Sequence, residues 1–413
     1  MHQAGASALT QLLQYDPPEE DHRTISCPCG HSAPYKELRS KTVLTVLGPV
    51  ELRRPYYLCD HCSKGQSPAD VELGVADLES SPGVRRMEAV VGSEMPFAAG
   101  REPMKLLAGL DVPAKAIERA AEAIGAQIAQ RDEREIGRAK QLVLPVVAQQ
   151  NIPKMYVLID GVQVPVVPSE TEGRTGRTEG QRARTRECKI GGVFTQTTVD
   201  HEGWPIRDSD STTYVGAIET AEEFGYRIYS EAWRRGWEWA KLKVVLGDGA
   251  VWIWNLANQH FPGAIQIVDL YHAREHLWKT AALLHPNDPA AKKRWMVPMQ
   301  ALLDGGEIQP LVARLREIAA EHAVAHPGWT EEILKQAEYF ETNADRMRYP
   351  EFRAMGLFVG SGVIEAGCKS VIGTRLKRSG MFWTVRGANA IIALRCCRLN
   401  GRFEDYWEEA RVA

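Results

Sequence analysis

The stretch Met-Tyr-Val-Leu-Ile-Asp-Gly, residues 155–161, is an apolar run that ends in an acidic residue, Asp160. Such a run predicts a buried strand. A strand end holds a carboxylate rigidly, and the glycine after it leaves room for a phosphate backbone. Val-Val-Leu-Gly-Asp-Gly, residues 244–249, places Asp248 in the same setting. The alternative for each Asp-Gly pair is an ordinary turn.

A third acid, Glu365, lies in Gly-Ser-Gly-Val-Ile-Glu-Ala, residues 360–366, which indicates the start of a helix. Two aspartates and one glutamate brought together can hold two divalent cations. Such a pair activates an attacking oxygen and stabilises a leaving oxygen in phosphoryl transfer. Asp160, Asp248 and Glu365 are therefore the predicted catalytic residues and metal ligands.

The order and spacing of the acids predict the fold class. Asp248 comes 88 residues after Asp160, and Glu365 comes 117 residues after Asp248. A strand-to-strand crossover needs only about 10–12 residues, so the second interval contains an inserted element. Residues 276–355, which have no strand pattern, supply it as helices. Carboxylates from two strands and a late helix are typical of an α/β ribonuclease H-like catalytic core, here interrupted by an all-helical insertion.

The rest of the chain divides by composition. Strands are predicted at 155–167, 188–199, 242–248 and 264–270, and helices at 216–236 and 251–260. The predicted domains are a flexible lead-in (1–21), a zinc-ribbon-like cysteine module (22–75), a helical DNA-binding region (78–140), the first part of the core (152–275), the helical insertion (276–355) and the last part of the core with basic helices (356–402). A hairpin turning at Gly48-Pro49 is expected in the module. The helix from about Ala98 to Leu107 and the one that Asp111 can cap suggest a helix-turn-helix, with a plain helical hairpin as the alternative.

Eight cysteines are present, and four of them form two close pairs about thirty residues apart. These are Cys27, Cys29, Cys59 and Cys62. Four thiolates in two pairs suit structural, tetrahedral Zn²⁺. The first pair is one residue short of the usual gap, so His22, His31 or His61 could replace a ligand, and four reduced core thiols are the alternative. Cys188, Cys368, Cys396 and Cys397 are interpreted as core residues.

The composition indicates the class of the protein and its location in the cell. The chain has 413 residues, of which 44% are hydrophobic and 25% charged, as in globular proteins. No apolar run approaches the roughly 18 residues that span a membrane, and the first residues have no basic segment followed by an apolar core. The sequence thus predicts a cytoplasmic protein without a membrane partner.

Charge is distributed unevenly although the net charge is only −3. Residues 366–403 contain no acid, and residues 170–189 form a polar, arginine-rich segment that is expected to be a mobile loop. Local basic faces of this kind bind phosphates. The predicted DNA contacts are Lys369, Arg375, Lys377, Arg378, Arg174, Arg177 and Arg182. For the loop, the alternative is a solvated hairpin tip that does not contact DNA. For the C-terminal cations, the alternative is that they pair with acidic residues of the helical insertion.

Asp269 and His272 lie between the second and third acids. Three residues apart at a helix start, they would share a face, where they could orient a phosphate or the metal shell. The alternative is a helix-capping aspartate and a surface histidine.

These motifs together carry a family resemblance. Their order is Ile-Asp-Gly (159–161), Leu-Gly-Asp-Gly-Ala-Val-Trp (246–252), Asp-Leu-Tyr-His (269–272) and Gly-Ser-Gly-Val-Ile-Glu-Ala (360–366). The chain resembles a bacterial DDE transposase of the Mutator-like group, and most of all the ISKra-type insertion-sequence family, whose cysteine module precedes a segment like residues 47–57. The likeness runs from about residue 25 to residue 400. The one-residue gap between Cys27 and Cys29 departs from it.

The resemblance implies DNA transposition with two Mg²⁺ or Mn²⁺ ions on the acidic triad, and Asp269 and His272 as an auxiliary pair. It also implies terminal inverted repeats and target DNA as partners, and a homo-oligomer assembled on DNA. One alternative is a ribonuclease H-like nuclease or resolvase that cleaves without strand transfer. The other is a non-catalytic DNA-binding protein derived from a transposase.

Overall fold

The computed structural model describes residues 2–176 and 181–412. Arg177, one of the predicted DNA contacts, lies outside the described residues. The chain forms two compact units, Met1–Gly125 and Ala126–Ala413. Within the described ranges, no helix combines the length and the apolar character needed to cross a membrane.

The first unit contains a four-stranded antiparallel sheet of order β1-β2-β3-β4, together with helices. Its elements are α1 (His2–Leu12), β1 (Thr24–Ser26), β2 (Ser32–Thr45), β3 (Gly48–Leu58), β4 (Gly65–Gln66), α2 (Pro68–Glu72), α3 (Pro82–Glu94), α4 (Arg101–Ala108) and α5 (Ala114–Lys140), which ends beyond the boundary of the unit.

Two details of this unit differ from the sequence predictions. Residues 1–21 are predicted as a flexible lead-in, but α1 forms there because Ala6 and Leu9 pack on the apolar face of the β2–β3 hairpin. The hairpin turns at residues 46–47, since Thr45 pairs with Gly48, and not at Gly48-Pro49 as predicted. Gly48 has φ +100°, a conformation that glycine adopts without strain.

The helices α3, α4 and α5 surround an apolar core that includes Val84, Met104 and Ile117. A Cβ atom on Gly92 of α3 would lie 2.7 Å from the Ala121 side chain of α5, so this glycine allows the two helices to approach closely. The possible helix-turn-helix of the sequence corresponds to α4 and α5.

The second unit is built on a mixed five-stranded sheet of order β11-β10-β5-β6-β9. Its first part comprises β5 (Ile152–Pro165), β6 (Thr185–Gln196), β7 (Thr198–Val199), β8 (Pro205–Ile206), β9 (Thr213–Ala217), α6 (Ala221–Arg234), β10 (Ala240–Gly247), α7 (Val251–His260) and β11 (Ile265–Val268). Strands β5, β10 and β11 are parallel, whereas β6 is antiparallel to both β5 and β9. A mixed α/β architecture is therefore confirmed.

Strand β9 is absent from the sequence prediction, which has a helix over 216–236. The helix α6 instead begins after Thr220, whose side chain accepts from the Glu223 amide while the Glu223 carboxylate accepts from the Thr220 amide. This capping box is a sequence signal that could have placed the helix start correctly.

The rest of the unit is helical. It comprises α8 (Leu270–Leu284), α9 (Pro289–Asp304), α10 (Ile308–His322), α11 (Pro327–Thr342), α12 (Tyr349–Ala354), α13 (Gly362–Gly367), α14 (Thr374–Leu376), α15 (Val385–Leu399) and α16 (Phe403–Val412). A π-helical turn, Cys368–Gly373, joins α13 to α14.

The arginine-rich segment between β5 and β6 is predicted as a mobile loop. Its described parts continue the β5–β6 hairpin, with the Gly176 amide donating to the Gln181 carbonyl oxygen at 2.6 Å and the Ala183 amide to the Arg174 carbonyl oxygen at 3.2 Å. Residues 174–176 and 181–183 are therefore hydrogen-bonded to each other and do not form an unpaired loop.

Candidate active site

The strand register aligns three aspartates at the level where β10 and β11 end, although β5 continues beyond Asp160 to Pro165. Gly247 at the end of β10 pairs with Ile159 on one side and with Val268 on the other. The residues that follow these three are Asp248, Asp160 and Asp269. Since the three strands are parallel, the aspartates lie next to one another at the carboxyl ends of β10 and β11.

Asp160 is partly buried and receives two hydrogen bonds. The Gly161 amide donates to Oδ1 at 2.6 Å, and the Cys368 thiol donates to Oδ2 at 3.3 Å. Burial raises the pKa of Asp160, and the neighbouring carboxylate of Asp248 raises it further. A cation bound at this position would stabilise the ionised carboxylate and so counteract both increases in its pKa.

Asp248 is held by the turn that follows β10 and by a helix distant in sequence. The Ala250 amide donates to its Oδ1 at 2.9 Å. The Tyr339 hydroxyl, from α11, donates to its backbone oxygen at 2.8 Å. Gly249 has φ +98°, and a Cβ atom there would lie 2.6 Å from the Tyr339 ring, so glycine is required in this turn.

Asp269 caps helix α8 and is only 1% exposed. One carboxylate oxygen accepts from the His272 amide at 2.7 Å, and the other accepts from the Ser361 amide. Asp269 therefore caps α8, as in the capping alternative, and it also fixes the segment that leads into α13. The His272 side chain lies close enough to influence Asp160, whose pKa it lowers in opposition to burial.

Glu365 lies on α13, which packs against β5 and β6. Its neighbour Ile364 reaches to within 3.6 Å of the Cβ position of Gly192 on β6. Glu365 itself is exposed and precedes Cys368 by three residues, so the two side chains share a helix face. Since the Cys368 thiol touches Asp160, this face is directed towards the aspartates.

The three acids are brought to one region but do not form a compact ligand set. Among the described residues, groups of three or more metal-ligand side chains with all ligand atoms within 4.8 Å occur only in the cysteine module.

Cys368 and Tyr339 are site residues that the sequence analysis missed. Cys368 is interpreted there as a core residue, but its thiol contacts Asp160, and burial followed by that carboxylate raises its pKa. Its position three residues after Glu365 is a signal that could have indicated this. Tyr339 has no comparable signal, because 91 residues separate it from Asp248.

The predicted DNA-contacting cations fall into two groups. Lys369, Lys377, Arg378, Arg174 and Arg182 are exposed. Arg375 is 0% exposed, and its guanidinium carbon lies 4.9 Å from the centre of the Trp383 ring. This arginine is part of the core and does not reach a phosphate, so the prediction for it is corrected.

The cysteine module in the first unit contains a candidate metal centre. The sulfur atoms of Cys27, Cys29, Cys59 and Cys62 all lie within 4.8 Å of one another. The Cys27–Cys62 and Cys29–Cys59 distances are 3.5 and 3.6 Å. The four sulfurs therefore fit one cation.

Comparisons with known proteins identify no family. No protein-family model matches the chain, and no curated protein matches it. Among solved structures, it is similar to one described as the Drosophila P element transposase strand transfer complex, with 9% identity over 80% of this chain and 95% of that chain and a TM-score of 0.33. A similarity of this size defines neither a function nor a site.

Proposed function

We propose that this protein is a DDE-type DNA transposase that cleaves the ends of an insertion sequence and joins them to target DNA. The observation that carries the proposal is the register of the adjacent parallel strands β5 and β10, which aligns Asp160 with Asp248, the residue that follows β10. Helix α13, which bears Glu365, packs against one of those strands.

The sheet supports a ribonuclease H-like core. Asp160 lies on β5, the first strand of the five-stranded sheet in sequence, and Asp248 follows β10, the fourth. Glu365 lies on a helix late in the chain. The helices from α8 to α12 separate β11 from α13, in the position of the predicted insertion.

The acidic residues suit hard divalent cations. Carboxylate oxygens are the ligands that Mg²⁺ and Mn²⁺ prefer, and Asp160, Asp248 and Glu365 would hold two such ions. These ions would activate the attacking oxygen and stabilise the leaving oxygen. In this proposal, the Asp269 carboxylate fixes the start of α13 by accepting a hydrogen bond from the Ser361 backbone amide.

The wider proposal follows from the motif resemblance. It assigns the chain to the ISKra-type, Mutator-like transposases, places it in the cytoplasm, and gives it terminal inverted repeats, target DNA and further copies of itself as partners. The four cysteines would hold a structural Zn²⁺, which stabilises the module directly.

One experiment distinguishes the proposal from both alternatives. The purified chain is incubated with Mg²⁺ and a labelled duplex taken from the DNA that flanks its gene. A transposase yields nicked ends and products joined to a second DNA. A nuclease or resolvase yields cleavage without joining, and a non-catalytic DNA-binding protein yields neither. Absence of joined products with every flanking duplex and with both Mg²⁺ and Mn²⁺ would refute the proposal.

A further inference from the structure

The loop between α14 and α15 presents an exposed aromatic side chain beside two exposed cations. Phe382 is 60% exposed, in contrast to its neighbour Trp383, which is 7% exposed. Lys377 and Arg378 lie at the start of the same loop and are also exposed. Within the residues that the structure describes, neither cation forms an ion pair. Residues 366–403, which include the loop, contain no acid at all.

Contacts at both ends of the loop hold its backbone in place. The Trp383 indole nitrogen donates to the Leu376 carbonyl oxygen at 3.1 Å. The buried Arg375 guanidinium contacts the Met381 sulfur at 3.6 Å. Phe382 is therefore presented from a fixed backbone, so little conformational entropy is lost when a partner binds.

The loop is joined to the end of the strand that carries a candidate catalytic residue. The Trp383 amide donates to the Pro165 carbonyl oxygen at 3.2 Å, and the Val167 amide donates to the Trp383 carbonyl oxygen at 2.9 Å. Pro165 is the last residue of β5, which contains Asp160. A partner held at the loop can therefore extend along this strand end to the acidic residues.

Further cations adjoin the loop on the β5–β6 hairpin. Arg174 and Arg182 are exposed, and the Arg182 guanidinium donates to the Pro168 carbonyl oxygen, close to the bonds that join the loop to β5. One acid of the hairpin, Glu170, also contacts this region, where its carboxylate accepts from the Val385 amide at 2.9 Å. Exposed positive charge thus lies on both sides of Phe382, as an anionic partner requires.

We propose that Phe382 is a wedge that enters a DNA duplex between two base pairs, while Lys377 and Arg378 bind the phosphates beside the opened step. An apolar side chain that enters a base step unstacks the bases and bends the duplex. The flanking cations neutralise phosphates and hold the bent form. The inference rests on the proposed function, because it takes DNA as the substrate, and it adds that the DNA is bound in a distorted form.

The competing explanation is that Phe382 is an ordinary surface residue, since singly exposed apolar side chains are common. The two explanations differ in their response to DNA that is already weakened at one step. Opening a matched step costs stacking and pairing free energy, and a mismatch lowers this cost. A wedge therefore favours mismatched DNA, whereas contacts to phosphates alone do not distinguish the two.

The test compares the affinity of the full-length chain for a matched duplex and for a series of duplexes that each carry one mismatch at a different position. Ca²⁺ replaces Mg²⁺ to suppress cleavage. We expect the wild type to bind at least one mismatched duplex about fivefold more tightly than the matched duplex. It should also bend that duplex, as measured by energy transfer between dyes at the two ends.

Phe382→Ala should bind all duplexes with equal affinity and leave them straight, whereas Phe382→Trp should keep the preference. Lys377→Ala combined with Arg378→Ala should weaken binding to every duplex and leave the ratio of affinities unchanged. Trp204→Ala is the matched control, because Trp204 is an aromatic residue of the same unit that is 52% exposed. It should behave like the wild type.

Two results would overturn the wedge and leave the proposed function intact. One is equal affinity of the wild type for all duplexes, and the other is a preference for mismatched DNA that Phe382→Ala retains. A wild-type protein that binds none of the duplexes would contradict the proposed function together with the wedge.

Discussion

Asp160 and Asp248 are held side by side by the register of β5 and β10, which leaves two carboxylates to repel each other in the absence of a cation. This arrangement favours metal binding over stability. Replacing Asp160, Asp248 or Glu365 by its amide should lower Mg²⁺-dependent DNA cleavage by about 100-fold or more, because each change removes a metal ligand. Cleavage rates with a labelled duplex provide the measurement.

The same substitutions should not destabilise the fold. Asp160→Asn is expected to unfold at the same or a higher temperature than the wild type without metal, since it removes like-charge repulsion. Glu172→Gln, at an exposed acid of the same unit, is the control and should retain full activity. An active Glu365→Gln protein would contradict the assignment of this residue.

Glu88 in the first unit gives a pH prediction of its own. It is 1% exposed, burial raises its pKa from 4.5 to about 7, and its Oε1 atom has no hydrogen-bond partner among the described residues. The folded state therefore keeps the proton to higher pH than the unfolded state. Protonated Glu88 therefore contributes to the free energy of unfolding below pH 4.5, and this contribution is lost as the pH rises through 7.

Glu88→Gln should remove this pH dependence and should exceed the wild type in stability above pH 7 by about 1–2 kcal/mol. Denaturant unfolding from about pH 4 to pH 8 measures it. Glu102→Gln, at an exposed position on α4, should follow the wild-type profile. The same pH profile in Glu88→Gln and the wild type would rule out Glu88 as its source.

Helix α11 contributes Tyr339 to the candidate site. Tyr339 donates to the Asp248 backbone oxygen and packs on Gly249. Tyr339→Phe should cost about 0.5–1.5 kcal/mol of stability, because one hydrogen bond is removed. It should also raise the Mg²⁺ concentration needed for half-maximal cleavage, because Asp248 is less firmly placed. Tyr271→Phe, at an exposed tyrosine of α8, is the control. An unchanged Mg²⁺ requirement in Tyr339→Phe would show that the helix has no part in placing Asp248.

The sequence predicts those strands and helices that a pattern of neighbouring residues identifies. The apolar run before Asp160 predicts β5, and the Val-Val-Leu run predicts β10, because continuous apolar residues are needed to bury a strand on both faces. Strand β9 is missed since it is only five residues long and continues into a predicted helix. The Tyr339 contact and the burial of Arg375 depend on packing between distant segments, which a sequence pattern does not encode.

Across the whole chain, the net charge is negative while exposed cations remain near the last helices. Lys377 and Arg378 are exposed, in contrast to the buried Arg375. Replacing both exposed residues by Ala should weaken binding to specific and random DNA alike. It should also lower the slope of log affinity against log salt by about one unit for each phosphate that is no longer bound.

Filter binding across a salt series measures this effect. Lys293→Ala combined with Arg294→Ala, an exposed basic pair on α9, is the matched control and should leave the slope unchanged. An unchanged slope for the Lys377 and Arg378 double variant would show that these side chains do not contact DNA.

The most direct test of the proposed metal-dependent site is anomalous diffraction from crystals of the full chain bound to DNA and soaked in Mn²⁺. We predict anomalous peaks within about 2.0–2.3 Å of carboxylate oxygens of both Asp160 and Asp248, with Glu365 completing the ligand set. The peaks should be absent from Asp160→Asn crystals. Mn²⁺ bound elsewhere, with none between Asp160 and Asp248, would contradict the assignment of the site.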